Sequence, residues 1–257
     1  IGWMVGCSTF GGGVDSTAMV LGLIEKNQPI DLILFADTGA ERPSTYEHIA
    51  KFSEWLKSKG YPEITIVKRV TESGEYETLE EECIRAKALP SIAYGYKRCS
   101  QKHKIAPQDK YLNNWQPTID CWKNGEKAIK YIGYDANEQH RADNAAKRED
   151  KKYDHIYPLI EWQWDREECL QIIAKYGFKV GKSACFFCPS SKPREIVDLY
   201  EQYPDLLNRA LTIEENAELT SIKGLGRNYA WSEVIRMHKA QMTLPFFGFD
   251  LPCECTE

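Results

Sequence analysis

The residues whose types and spacing most clearly suggest a binding or catalytic function form one run near the start of the chain: Gly11, Gly12, Gly13, Val14, Asp15 and Ser16. An apolar stretch at 3–6 precedes the run and apolar residues at helical spacing follow it, which predicts a strand, a turn and a helix. Glycines let the turn bring its backbone close to a ligand, and a helix N-terminus directs N–H groups at an anion. The run therefore predicts a phosphate-binding turn, although a glycine triplet alone more often marks a flexible turn.

A second polar turn follows the apolar run at 31–36 and reads Asp37, Thr38, Gly39. Ligands of parallel α/β sheets gather at the carboxyl ends of the strands. We therefore expect this turn to lie beside the glycine run and to contact the same ligand. The alternative is a polar turn that only caps the next helix.

Basic residues are concentrated in two later segments. Cys99 lies among cationic side chains that include Lys102 and Lys104, and Arg141 follows a predicted strand at 130–134. Such surroundings lower the pKa of a thiol and attract phosphate or sulfate. The alternative for the first segment is a solvated basic helix end with an incidental cysteine.

Nine cysteines in a chain of cytosolic appearance indicate metal or redox chemistry rather than structural disulfides. Cys185 and Cys188 are two residues apart, a spacing from which one tight turn can ligate a metal ion or an iron–sulfur cluster. A redox disulfide is the alternative for this pair. Cys253 and Cys255, in the tail, are candidates for ligands, for redox groups or for no function.

The surrounding elements define the expected fold. Strands predicted at 31–36, 64–67 and 130–134 alternate with helical patterns such as the one at 43–59. This alternation predicts an α/β protein in which a twisted parallel sheet carries helices on both faces. We expect a nucleotide-binding domain at 1–190 and a helical C-terminal region with a cysteine-containing tail at 191–257.

Composition excludes several classes of function. The net charge is −5 over 257 residues, so no global basic field favours a long nucleic-acid footprint. No apolar run approaches the roughly 18–20 residues that cross a membrane. The N-terminus lacks the basic and apolar pattern of a signal peptide, so we expect a cytoplasmic protein without membrane association.

The glycine run resembles the PP-loop of the ATP pyrophosphatase superfamily, whose usual form is Ser-Gly-Gly-x-Asp-Ser, with Gly11 in the place of the first serine. Together with the turn at 35–41, the segment 99–107, the segment 133–141 and the pair Cys185 and Cys188, it resembles the sulfonucleotide (PAPS/APS) reductase family. The resemblance covers about residues 5–193. It extends to the reductase-like proteins of phages and defence islands, including those linked to DNA phosphorothioation.

The resemblance implies an adenine nucleotide alpha hydrolase-like fold that binds ATP or an adenylyl sulfate. Residues Gly11 to Ser16 would hold the phosphates, and Asp37 to Gly39 the adenosine. If ATP is the substrate, Asp15 would help to hold Mg²⁺. The cations Lys102, Lys104 and Arg141 would stabilise negative charge on the transferring group.

The resemblance also implies a 4Fe–4S cluster. Three family ligands match Cys99, Cys185 and Cys188, and the fourth position is Ser100, which is a poor ligand for a soft cluster. Either a tail thiolate, Cys255 or Cys253, completes the cluster, or one iron stays open, as in PP-loop tRNA-thiolating enzymes. The expected reaction is adenylation or sulfur transfer to a nucleic-acid or small-molecule acceptor.

Two alternatives to this reaction stay open. The first is a nucleotide-binding or interaction protein without turnover, stabilised by Zn²⁺ on the two later cysteine pairs. The second is a true APS/PAPS reductase, whose family motif Glu-Cys-Gly is matched here by Glu254 and Cys255 without the glycine.

Overall fold

The computed structural model describes residues 5–147 and 149–243 of the chain. Its centre is a five-stranded, entirely parallel sheet with the order β3-β2-β1-β4-β5. The strands are β1 (Gly6–Phe10), β2 (Leu32–Asp37), β3 (Ile64–Lys68), β4 (Ala128–Tyr131) and β5 (Tyr153–Ile156).

Helices connect the strands and continue after the sheet is complete. They are α1 (Val14–Glu25), α2 (Pro43–Ser58), α3 (Leu79–Arg85), α4 (Arg98–Ser100), α5 (Ala106–Leu112), α6 (Gln116–Lys123), α7 (Gln139–Ala146), α8 (Pro158–Glu161), α9 (Arg166–Lys175), α10 (Pro193–Gln202), α11 (Pro204–Asn216) and α12 (Trp231–Thr243). A π-helical segment, Gln101–Ile105, joins α4 to α5, and 3₁₀ turns lie at Ser91–Tyr94 and Ala136–Glu138.

Alternation along the buried strands divides the core into two layers. Ile33 and Phe35 pack with α1, α2 and α9 on one face of the sheet, whereas Leu32 and Leu34 pack with Leu112 of α5 on the other. Side chains of a strand point alternately to opposite faces, so a strand that is apolar throughout must be covered on both. The predicted parallel α/β sheet with helices on both faces is confirmed.

The strand order places the glycine run at the centre of the sheet. β1 pairs with β2 on one side and with β4 on the other, so its carboxyl end lies where the order of the strands reverses. Ligands of open α/β sheets bind at this point. One boundary in the sequence analysis is wrong: β1 continues to Phe10, so the turn consists of only Gly11, Gly12 and Gly13.

The described part of the chain divides into two compact units. The first contains the residues through Glu82 together with Lys97–Cys185, and therefore the whole sheet; the second contains Cys83–Tyr96 and the residues from Phe186 onward. Inside the second unit, the N–H of Glu218 donates to the carbonyl of Lys87 at 2.9 Å. The proposed division at 1–190 and 191–257 stays a prediction, with α10, α11 and α12 as described helices of the later region.

None of the helices within residues 5–147 and 149–243 combines the length and the apolar character needed to cross a membrane.

Candidate functional site

The glycine turn leaves the start of α1 open. Gly12 has a φ of +71°, a conformation that favours glycine, and Gly13 is the N-cap residue of α1 in an extended conformation. The first N–H groups of a helix have no acceptor within the helix. No side chain of the described residues caps α1. The turn therefore offers backbone donors and the positive end of a helix dipole, as a phosphate requires.

Two other segments of the first unit pack tightly against this turn. A Cβ atom on Gly13 would lie 2.6 Å from the Oγ of Ser183, and a Cβ on Gly133 would lie 3.3 Å from the backbone nitrogen of Ser16. Gly133 thus lets the chain after β4 approach the first turn of α1. These contacts fix two sides of the space in front of the turn.

That space is a cavity of about 890 Å³ within the first unit. Six of the predicted site residues line it: Gly11, Gly13, Asp15, Ser16, Lys104 and Arg141. The other residues predicted for nucleotide binding and catalysis lie outside its wall: Gly12, Val14, Asp37, Thr38, Gly39 and Lys102. The structure thus brings the glycine turn together with two of the three predicted cations.

Those cations are held by different partners. Lys104 contacts the buried carboxylate of Glu41, with 3.1 Å between Nζ and Oε1. Arg141 donates to Glu138 and lies over the ring of Tyr134, with 4.0 Å between its Cζ and the ring centroid. Both side chains are thereby oriented along the cavity wall.

Lys102 has a different environment from Lys104, although the two are close in sequence. It pairs with Glu82, which also accepts from Arg69 at 3.1 Å and contacts the buried ring of His103. Lys102 is therefore part of a salt-bridge network that anchors the π-helical segment. Lys102 lies outside the cavity wall, and its predicted catalytic role stays a prediction.

Asp15 in the cavity wall carries a partner that sequence reasoning missed. Arg166, at the start of α9, donates to its Oδ1 at 2.9 Å. Burial raises the pKa of Asp15, and the charge of Arg166 opposes that rise. The two residues are 151 positions apart, so no local pattern could have indicated the pair.

A polar branch of the cavity along β4 and β5 was also missed. Lys130 and His155 are paired in the register of these strands, and both line the cavity. Lys130 contacts Asp109 at 3.3 Å, and the Nε2 of His155 lies 3.3 Å from Asp150. Burial lowers the pKa of His155. The available signal was a single lysine in the apolar strand β4 and a histidine in β5.

The turn after β2 uses its polar groups internally. Asp37 accepts from the N–H of Gly39 at 2.8 Å and from the hydroxyl of Tyr46 at 2.7 Å. Burial and the adjacent Asp37 raise the pKa of Tyr46. Thr38 contacts the Sγ of Cys185 at 3.3 Å. The predicted adenosine contact by this turn stays a prediction.

The predicted metal ligands are spread over the chain. Cys99 lies on α4 and Cys185 near the end of the first unit, whereas Cys188 belongs to the second unit. Cys255 and its alternative Cys253 lie outside the described residues. Within the described ranges, no group of three or more His, Cys, Asp or Glu side chains is placed to hold a metal ion. The ligand set Cys99, Cys185, Cys188 and Cys255 stays a prediction.

Comparisons with known proteins cover the part of the chain that contains this candidate site. Residues 7–177 match the family model of the phosphoadenosine phosphosulfate reductase domain, and this range includes the glycine turn and most of the cavity wall. An uncharacterized protein of Methanocaldococcus jannaschii is 24% identical over 237 residues, which are 88% of this chain and 52% of that protein. The chain thus spans about half the length of this curated relative.

One solved structure matched by this chain is the U34-tRNA thiolase NcsA from Methanococcus maripaludis with its [4Fe-4S] cluster. The match covers 96% of this chain and 84% of that chain, with 16% sequence identity and a TM-score of 0.43. A likeness at this level carries no argument about activity.

Proposed function

The chain belongs to the phosphoadenosine phosphosulfate reductase domain family, and we propose that it is an enzyme that binds an adenine nucleotide in the cavity before α1. Its proposed chemistry is adenylation or sulfur transfer, with ATP or an adenylyl sulfate as the nucleotide. The acceptor of the transferred group is a nucleic acid or a small molecule.

One observation carries the proposal. The uncapped N-terminus of α1 opens into a cavity of about 890 Å³ whose wall also presents Lys104 and Arg141. Backbone N–H groups, a helix dipole and two fixed cations together suit an extended polyanion. The cavity size is typical of sites for small molecules and cofactors, which range from about 300 to 1,000 Å³.

In the ATP form of the proposal, an oxygen of the acceptor attacks the α-phosphorus and releases its proton to solvent. The bond to the leaving pyrophosphate breaks, and the acceptor carries AMP until a sulfur nucleophile displaces it. The N–H groups of the glycine turn hold the pyrophosphate, because they point at it without reorganisation. Lys104 and Arg141 stabilise the charge that develops on the transferring group.

Cofactors enter the proposal at two places. Mg²⁺ would accompany ATP, with the Asp15 carboxylate as its candidate ligand in the cavity wall. A 4Fe–4S cluster, or Zn²⁺ in its place, would require thiolates that the described residues do not bring together as a group. No step of the proposed chemistry takes place on the cluster or on the zinc ion.

Titration calorimetry with ATP, an adenylyl sulfate and pyrophosphate tests the proposal. We expect the wild type to bind an adenine nucleotide and Lys104→Ala or Arg141→Ala to weaken binding about tenfold, the effect of losing one charge-assisted hydrogen bond. Lys110→Ala is the matched control, because Lys110 is exposed, carries the same charge six positions away and lies outside the cavity wall. A folded wild type that binds none of the ligands would contradict the proposal, as would an equal loss in the control.

Metal analysis of protein purified without oxygen separates the two cofactor alternatives. Iron and sulfide in equal amounts, lost in Cys99→Ala, would support the cluster. About one zinc per chain, retained in Cys99→Ala, would support the zinc site on the later cysteine pairs. Thiol-dependent release of sulfite from an adenylyl sulfate would instead identify a reductase.

A further inference from the structure

A buried line of hydrogen bonds runs from α2 to the back of the glycine turn. The Nε2 of His48 lies 2.9 Å from the hydroxyl oxygen of Thr17, and that hydroxyl donates to the carbonyl of Gly13 at 2.8 Å. His48 and Thr17 are both buried, with 7% and 0% of their surface exposed. Neither residue lines the cavity, whereas Gly13 does.

The direction of each bond in this line is determined by the hydroxyl. A threonine hydroxyl has one hydrogen, and in Thr17 that hydrogen is donated to Gly13. The hydroxyl oxygen must therefore accept from His48, which requires the tautomer with its hydrogen on Nε2. Burial lowers the pKa of His48 to about 4, so the ring is neutral near pH 7 and carries this single N–H.

Three aromatic rings, those of Phe10, Phe52 and Phe178, pack around the imidazole and fix its plane. The ring of His48 stacks on Phe52, with 5.6 Å between centroids and 17° between planes, and lies 6.3 Å from the ring of Phe10. Phe10 is the last residue of β1, directly before the glycine turn. His48 is thus held by the same elements that hold the turn.

The orientation of the Gly13 carbonyl sets the orientation of the next N–H. That oxygen accepts from the backbone N–H of Thr17 at 3.1 Å as well as from the hydroxyls of Thr17 and Ser16. A trans peptide is planar, with its C=O and N–H pointing in opposite directions. Because three donors draw the carbonyl into α1, the N–H of Val14 points out of the helix at the turn.

We propose that His48 is a positioning residue of the nucleotide site: through Thr17 it holds the Gly13–Val14 peptide with its N–H directed at the bound phosphate. The inference rests on the proposed function, because it concerns the same site. It assigns part of the phosphate affinity to a side chain that does not touch the ligand. The N–H that His48 positions recognises the phosphate chain, so the binding of the adenosine part does not depend on His48.

Two substitutions of His48 separate positioning from packing. His48→Phe keeps an aromatic ring against Phe10 and Phe52 but removes the N–H, whereas His48→Gln keeps an N–H donor at a similar reach. We expect His48→Phe to weaken the binding of ATP and pyrophosphate about tenfold and that of adenosine less than twofold. We expect His48→Gln to stay within about threefold of the wild type for all three ligands. Thermal unfolding monitors whether each variant is folded.

A second position closes the test. Thr17→Val should reproduce the loss of phosphate affinity in His48→Phe, whereas Thr17→Ser, which keeps the hydroxyl, should bind like the wild type. The double variant of Thr17→Val and His48→Phe should lose no more affinity than either single variant, because both substitutions break the same line of hydrogen bonds. Equal losses in His48→Phe and His48→Gln, or a matching loss for adenosine, would overturn the positioning function while leaving the proposed function intact. A folded wild type that binds none of ATP, pyrophosphate and an adenylyl sulfate would overturn both.

Discussion

The turns after β1 and β2 occupy similar places in the fold and differ in what their polar groups do. Each follows a buried parallel strand, each contains a glycine with a φ of +71° (Gly12 and Gly39), and each leads toward a helix. In the β2 turn, Asp37 accepts from Gly39 and Tyr46. In the β1 turn, no described side chain caps the helix, and Gly13 lines the cavity.

This difference makes the β1 turn the better candidate for a binding site, because no described side chain caps the helix that follows it. The β2 turn satisfies its own N–H groups and closes on itself, as an Asx-turn does. The β1 turn lacks a capping side chain, so its N–H groups require a ligand or water. Residue types underlie this difference, because the β1 turn consists of glycines, whereas the Asp37 side chain supplies the internal acceptor of the β2 turn.

Among substitutions in these two turns, Gly39→Ala is expected to have the largest effect on stability. The residue combines positive φ with a Cβ position that would overlap the Cγ2 of Thr78. We expect a loss of about 3 kcal/mol in the free energy of unfolding, from left-handed backbone strain together with overpacking. Urea denaturation measures it. Gly11→Ala is the control and should lose less than about 1 kcal/mol; equal losses would contradict the assignment of strain to the β2 turn.

Removal of the Asp37 side chain should affect stability and leave binding intact. Asp37→Ala leaves the Gly39 N–H and the Tyr46 hydroxyl without their acceptor, and we expect unfolding to become easier by about 2 kcal/mol. Ser16→Ala, in the first turn of α1, should show the reverse pattern, with a small change in stability and about fivefold weaker ATP binding. Urea denaturation measures the stability of both variants, and titration calorimetry measures their affinity for ATP. Weaker ATP binding by folded Asp37→Ala would instead support the predicted adenosine contact.

Local patterns were sufficient for the sheet and for the glycine turn. The strands were predictable because a parallel sheet buries both faces of each strand, and Leu32, Ile33 and Leu34 show this as an unbroken apolar run. The turn was predictable because its glycines and the following helix are adjacent in sequence. Lys104 and Arg141 both line the cavity, and their predicted contact with the transferring group stays a prediction.

Partners that are distant in sequence could not be predicted in this way. Arg166 pairs with Asp15, and Glu41 with Lys104, across 151 and 63 positions. Lys102 has the same local composition around it as Lys104, and only the folded chain shows that Glu82 holds it outside the cavity. Contacts of this kind depend on the packing of whole elements, which periodicity does not encode.

The buried His48 should make stability depend on pH. Its pKa is lowered to about 4 by burial alone, so the folded state resists protonation while the unfolded state takes up a proton near pH 6.5. This contribution is complete above the unfolded pKa and is lost as the pH falls toward the folded one. Between pH 7.5 and 5.5 we expect a loss of about 1.5 kcal/mol. Urea denaturation of His48→Phe at the two pH values should lack this loss. A pH dependence of stability equal to that of the wild type would contradict the assignment to His48.

The smallest effect is expected from restoring a hydroxyl to the glycine turn by Gly11→Ser. A Cβ at this position meets only the Oγ of Ser16, at 3.8 Å, and the φ of Gly11 is not in the left-handed region, so serine fits without strain. Because Gly11 lines the cavity, the new hydroxyl adds a donor toward phosphate, and we expect ATP and pyrophosphate to bind about fivefold more tightly. Gly11→Ala adds the same Cβ without a donor and should bind like the wild type in calorimetry. If both variants bind alike, the phosphates do not reach this end of the turn, and the donors that matter begin at Gly13.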